Sequence, residues 1–261
     1  MSLKLGPLRS IDAGLIAFAL SAVVALSWLY LFQLAQDMDA MDMGGMEMGA
    51  MEMAHMRAWV LSDYVLMGIM WAVMMIGMMV PTALRAILIY ARVAEQADAQ
   101  GSPVAPTAWF VLGYILAWTG FSIAATGLQG ALNQAGLLTP MMSSASPWLG
   151  AGLLLMAGVY QLTPWKNACL RHCQSPAEYL AGRFGRVPTT GIRLGINHGG
   201  YCVGCCWVLM GLLFLGGVMN LLWIAAITLY VLLEKLLPQR WQTASVSGWL
   251  MIGSALLYLA V

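Results

Sequence analysis

Charge is scarce in this chain of 261 residues: Asp, Glu, Lys and Arg make up 9% of it, against about 25% in a soluble domain. That shortage excludes an ordinary water-facing surface. The net charge of +1 gives no field to attract nucleic acid. The five cysteines are too few, in too long a chain, for a disulfide scaffold. No P-loop and no phosphorylated-aspartate signature of the DKTG type occurs, so an ATP-driven pump lacks its parts. No histidine pair suited to haem appears, nor a Ser–His–Asp set with readable spacing. No long soluble segment interrupts the apolar runs, so residues 1–261 are expected to form one membrane domain.

What fills the chain instead is apolar: 61% of it is hydrophobic, with 21 methionines. A membrane-spanning helix needs about 20 mostly apolar residues. Runs near 13–34, 60–84, 107–130, 147–164, 199–216, 218–237 and 244–261 predict an all-α, polytopic membrane bundle of about seven helices. Gly216 and Gly217 mark a turn between the fifth and sixth; if 199–237 is instead one kinked helix, six remain. The first run is longer than the roughly 7–15 residues of a signal-peptide core, so it is expected to stay as a helix, the alternative being a cleaved signal. Of the 12 Lys and Arg, the seven-helix arrangement puts every one except Arg57 on the cytoplasmic side, as positive charge requires. The N-terminus is then cytoplasmic and the segment 35–58 is periplasmic, in a bacterial inner membrane.

That segment contains "MDMGGMEMGAMEMAHM". Met-acid-Met recurs at a five-residue step in Met41-Asp42-Met43, Met46-Glu47-Met48 and Met51-Glu52-Met53. Thioether sulfur is a soft ligand that favours Cu(I), and it needs no deprotonation and forms no disulfide. The expected role is capture of copper; the competing reading is a flexible low-complexity linker. In the second apolar run Met67, Met70, Met74 and Met78 share one helical face, with Met75 and Met79 beside it. Methionine also fills any apolar interior, so packing and a thioether relay both fit. Asp63, an acid at the start of that helix, is a functional candidate. Pro81 is expected to end or kink it.

All five cysteines fall in two short segments. "NACLRHC" carries Cys169, His172 and Cys173. "NHGGYCVGCCW" carries His198, Cys202, Cys205 and Cys206. Spacings of three and four place each group on one helical face. Thiolate and imidazole suit Cu(I) and, as the alternative, Zn(II). The pair Cys202 and Cys205 also forms a CxxC, but the thioredoxin-like setting of a redox CxxC is missing. For a single membrane cysteine, a small buried hydrophobe is the simpler reading. Glycines 199, 200 and 204 permit close backbone approach or an irregular helix start. Glu234 and Lys235, as neighbours, do not face each other; Lys235 is expected to snorkel, and Glu234 to be an interface charge, with a metal-site partner or a proton carrier as alternatives.

These motifs resemble the bacterial family of predicted metal-binding integral membrane proteins, long known as a domain of unknown function. The matching residues are "MWAVMMIGMMVP" at 70–81, "YQLTPWKNACLRHC" at 160–173, "GGYCVGCCWVLM" at 199–210 and "GVMNLLW…LLEKLLP" across 217–238, within a core of 59–238. The resemblance implies a polytopic helical fold and metal binding at Cys169, Cys173, Cys202, Cys205 and Cys206. The Met-acid-Met segment lies outside it. The expectation is a copper(I)-binding membrane protein that gathers copper at the Met-rich loop and passes it to the Cys/His cluster, for transport or for delivery to a copper chaperone or membrane copper enzyme. A non-transporting assembly factor is the alternative, and a membrane thiol-redox or metal-centred oxidoreductase a third.

Overall fold

The computed structural model describes residues 10–43, 59–139, 142–180, 183–237 and 242–260. Among them there is no β-strand, only a single bridge between Leu138 and Ser144. The helices are α1 (Ser10–Met43), α2 (Leu61–Ala99), α3 (Thr107–Gln134), α4 (Pro147–Gln161), α5 (Pro164–Gln174), α6 (Pro176–Leu180), α7 (Pro188–Gly211), α8 (Leu213–Gly216), α9 (Leu221–Leu236) and α10 (Thr243–Ala260). Every apolar run read from the sequence is helical.

Four helical stretches, Gly14–Asp37, Leu61–Ala99, Thr107–Gln134 and Pro188–Gly216, are long and apolar enough to cross a membrane. Helices α4, α9 and α10 have 15, 16 and 18 residues. At 1.5 Å per residue the first is about 22 Å long, short of the roughly 30 Å hydrocarbon core. The seven expected helices therefore exist, and among the described residues four are long and apolar enough to span. Exposed apolar side chains such as Phe18, Leu26, Ile123, Leu128, Leu222 and Leu257 suit hydrocarbon as solvent.

Three boundaries differ from the sequence reading. Helix α1 runs on to Met43, so the segment expected as loop from 35 begins as helix. Helix α2 neither ends nor breaks at Pro81 but continues to Ala99. The disturbed turn is tied by the Thr82 and Tyr114 hydroxyls, both donating to the Met79 carbonyl at 2.8 and 2.9 Å. Ala83, Ala86, Ile87, Tyr90 and Ala91 then keep a buried face at helical spacing, which repays continuation beyond the proline. Helix α7 starts at Pro188 rather than 199, with proline in its favoured first-turn place.

The closest seam joins α3 to α7. A methyl group added at Gly195 would press on the Phe110 carbonyl, and one at Gly199 would lie 2.6 Å from Ala117 Cβ. Gly191, Gly195 and Gly199 repeat at four-residue spacing, the small-residue pattern that lets membrane helices approach closely. At the far end of α7 the chain reverses. Gly217 has φ of 92°, open to glycine and unfavourable for other residues. The Trp223 indole N–H then donates to the Leu212 carbonyl at 2.7 Å, while Lys235 reaches Cys202. Helices α7 and α9 are thus an antiparallel pair, not one kinked helix.

Candidate metal site

Helix α5 starts with Thr163, whose hydroxyl oxygen accepts the Lys166 N–H, followed by Pro164. This cap and first-turn proline stop the chain from continuing α4 and turn it into a short amphipathic helix. Cys169 and Cys173 lie one turn apart on it and face α7. Cys173 Sγ is 4.0 Å from Cys205 Sγ. A methyl group added at Gly204 would lie 3.0 Å from Cys169 Sγ, so glycine at 204 makes room for that thiol. Cys202, Cys205 and Cys206 are buried, while Cys169 and Cys173 are partly exposed. The two cysteine segments, 29 residues apart from Cys173 to Cys202 in sequence, therefore meet.

The thiol hydrogens of Cys205 and Cys206 donate to the Cys202 carbonyl at 3.1 and 3.0 Å. Cys202 Sγ itself receives the Lys235 ammonium at 2.8 Å and lies 3.1 Å from the Tyr114 hydroxyl. Lys235 also donates to Thr82 Oγ1 at 2.9 Å and is 4% exposed. It does not snorkel. A buried ammonium needs negative charge nearby, and the atom that it reaches is a sulfur.

Glu234 turns the other way, as neighbouring helix positions must. It is 1% exposed and pairs at 2.8 Å with Lys166, which is fully buried. Tyr230 donates to its other carboxylate oxygen at 3.1 Å, and Gln174 on α5 donates to the Glu234 and Leu237 carbonyls. Glu234 is therefore no interface charge: it clamps α5, and with it Cys169 and Cys173, to α9. Lys235, Lys166, Tyr114 and Thr82 escaped the sequence reading as parts of this region, and Glu234 entered it only as an alternative. The one signal available was a pair of charges inside an apolar run.

His198 is buried, one turn before Cys202, with its ring 6.0 Å from that of Tyr114, and its Nδ1 has no hydrogen-bond partner. His172 is engaged by Tyr201, with stacked rings 4.1 Å apart, and its Nδ1 lies 2.9 Å from the Ala168 carbonyl. On α5, hydrogen bonding with Cys202 and Cys205, then burial, holds the Cys173 thiol well above the ordinary thiol range, and burial raises Cys169. Among the described residues no group of three or more His, Cys, Asp or Glu is already arranged to hold a metal. The donor set nevertheless fits a soft ion. A zinc–thiolate bond is about 2.3 Å, so sulfurs 4.0 Å apart leave room for one bridging ion.

Of the methionine face on α2, Met70, Met74, Met75, Met78 and Met79 are buried in the core and Met67 is partly so. Met41 and Met43 lie in the last turn of α1. Met46, Met48, Met51 and Met53 lie outside the described residues. The carboxylate of Asp63 accepts the Val60 N–H at 2.9 Å, so it caps the start of α2.

Neither the curated proteins nor the solved structures contain a match to this chain. One family model does match, over residues 68–258, and its description is PpoB2, copper chaperone. The match takes in α3 to α9, most of α2 and α10, and both cysteine segments. It covers well over half of the sequence, and the chain belongs to this copper-chaperone family.

Proposed function

We propose that this chain is an inner-membrane copper(I) chaperone whose working site is the set of thiols between α5 and α7. The observation that carries the reading is the approach of Cys173 Sγ to Cys205 Sγ, 4.0 Å apart on two separate helices, beside the buried Lys235–Cys202 contact. Cu(I) is the species because soft thiolates favour it; Zn(II) is the competing ion. The partly exposed α5 thiols receive or release the ion, and the buried α7 thiols hold it. His198, buried one turn before Cys202 with its Nδ1 unpartnered, is the imidazole candidate to join them.

The Met-acid-Met units from Met41 to Met53 serve as a periplasmic gathering arm, whose thioethers work in an oxidising compartment. Met67, Met70, Met74 and Met78 lie on the helix that leads from that arm toward Thr82, whose hydroxyl shares Lys235 with Cys202. Delivery to an acceptor protein, such as a membrane copper enzyme, is favoured over bulk transport by the family description. On that reading, deleting the gene leaves cellular copper constant while the activity of the acceptor enzyme falls. Altered cellular copper would instead establish transport.

The direct test replaces Cys169, Cys173, Cys202, Cys205 and Cys206 with serine. The purified variant is expected to lose stoichiometric Cu(I). Binding that stays unchanged would remove the thiols as the site.

A further inference from the structure

A second meeting of sulfurs lies near the other end of α2. Met67 is fifteen residues from Thr82 on that helix, or about 22 Å along it. Opposite stands Gln129 of α3, fully buried. The Trp71 indole N–H donates to Gln129 Oε1 at 2.6 Å. An indole nitrogen only donates, so this bond fixes which way the amide faces. Its Nε2 is therefore turned toward two thioethers, Met142 Sδ at 3.1 Å and Met67 Sδ at 3.9 Å. Thioether sulfur is a weak acceptor, a poor partner for a buried amide that would normally meet oxygen.

Met142 reaches this place at a conformational cost. It has φ of 56°, the left-handed region that a bulky side chain seldom adopts. Two backbone contacts hold it there: its N–H donates to the Thr139 carbonyl at 2.8 Å, and its carbonyl lies 3.4 Å from the Val218 nitrogen, next to the Gly217 corner. Strain of this kind persists where surrounding structure enforces it, and it concentrates at binding sites.

We propose that Met67 and Met142, presented by the buried Gln129, form a partly buried thioether site for a soft monovalent cation, with Cu(I) as the physiological ion. The side chains that meet here, Met67, Met142, Gln129 and Trp71, are all neutral. Ion desolvation rises with the square of the charge, so a site of neutral donors in a medium of low dielectric disfavours a divalent ion far more than a monovalent one. Soft sulfur then separates Cu(I) and Ag(I) from hard monovalent ions. On binding, the sulfurs turn from the amide N–H to the ion, while Oε1 stays with Trp71. No proton is released and no electron moves. The site rests on copper handling in general and not on the cysteines.

The experiment uses the full chain in detergent, labelled with ¹³C at the methionine methyls, and silver ion as a redox-inert probe. The Met67 and Met142 signals, assigned with Met67→Leu and Met142→Leu, are expected to shift with silver and to remain still with zinc. They are expected to do so equally in the chain with all five cysteines replaced by serine. The Met67→Leu/Met142→Leu chain is expected to bind one equivalent of silver fewer than its parent. This difference is read in the chain with native cysteines if the serine variant does not fold. Signals of Met67 and Met142 that stay still with silver, that move with zinc, or an unchanged silver count in the double variant, would overturn the site. Loss of thiol-bound copper in the serine variant with these signals still responsive would leave both readings standing, whereas retained copper there would sink only the thiol reading.

Discussion

The two sulfur clusters share soft donors but differ in charge and in protonation. At one, cysteines from α5 and α7 meet, Cys202 of α7 contacts a buried ammonium, and a buried ion pair ties the shorter helix to α9. At the other, two methionines lean on a neutral amide that an indole has oriented. Thiols must lose protons to bind a metal, and the thiolates formed add negative charge that Lys235 offsets. Thioethers bring no charge and no proton. On the proposed reading, the first cluster holds the ion strongly through thiolates, and the second holds it weakly through neutral thioethers.

The largest effect that separates the clusters is expected at Glu234. Changing Glu234→Gln leaves Lys166 charged, buried and unpaired. Breaking a buried pair from one side costs about 3–5 kcal/mol, to be read as a lower unfolding midpoint. In the protein that remains folded, the Cys173 thiol becomes more reactive toward a maleimide as α5 loosens, while silver binding at Met67 and Met142 stays the same. An unaltered unfolding midpoint would mean that the pair does not anchor α5.

Lys235→Met comes next. A hydrogen bond to a charged group contributes about 1.5–3 kcal/mol, so Cu(I) affinity at the thiols is expected to fall about ten- to a hundredfold, measured by competition with a chromophoric Cu(I) chelator. Equal losses at both clusters would show a general disturbance and not a local role.

The smallest difference per step is in pH. Each proton displaced from a thiol makes Cu(I) affinity rise by up to about tenfold per pH unit. The thioether site is expected to hold silver with the same affinity across that range. A pH slope there would show that a titrating group takes part.

Much of the fold is legible in the sequence because apolar runs report helices directly. Each of the seven runs is helical, and the Gly216-Gly217 pair marks the reversal between α7 and α9. The spacings within "NACLRHC" and "NHGGYCVGCCW" place the thiols on single faces, which the structure turns toward each other. Three things were not legible. The extension of α2 past Pro81 depends on hydroxyls from Thr82 and from Tyr114, the latter on another helix. The helix α7 boundary was obscured by its polar first turns, although Gly191, Gly195 and Gly199 at four-residue spacing were there to be read. The charges of "LLEKLLP" look like an interface pair until the helices that bury them are in place.

Composition and periodicity by themselves determined a membrane-type helical chain with its metal-suited sulfurs concentrated in a few segments. Those properties follow from local chemistry: apolar length, ligand softness and helical repeat. Only the tertiary structure decided which sulfurs meet. Cys173 meets Cys205 where α5 packs on α7, and Lys166 and Glu234, 68 residues apart, fasten α5 to α9 beside them. Met67 finds Met142 because a buried amide on α3 has one oxygen committed to Trp71 and must place its nitrogen somewhere. Both meetings lie beside polar groups that are costly to leave unpaired in a dry interior, a cost that no local stretch of sequence displays.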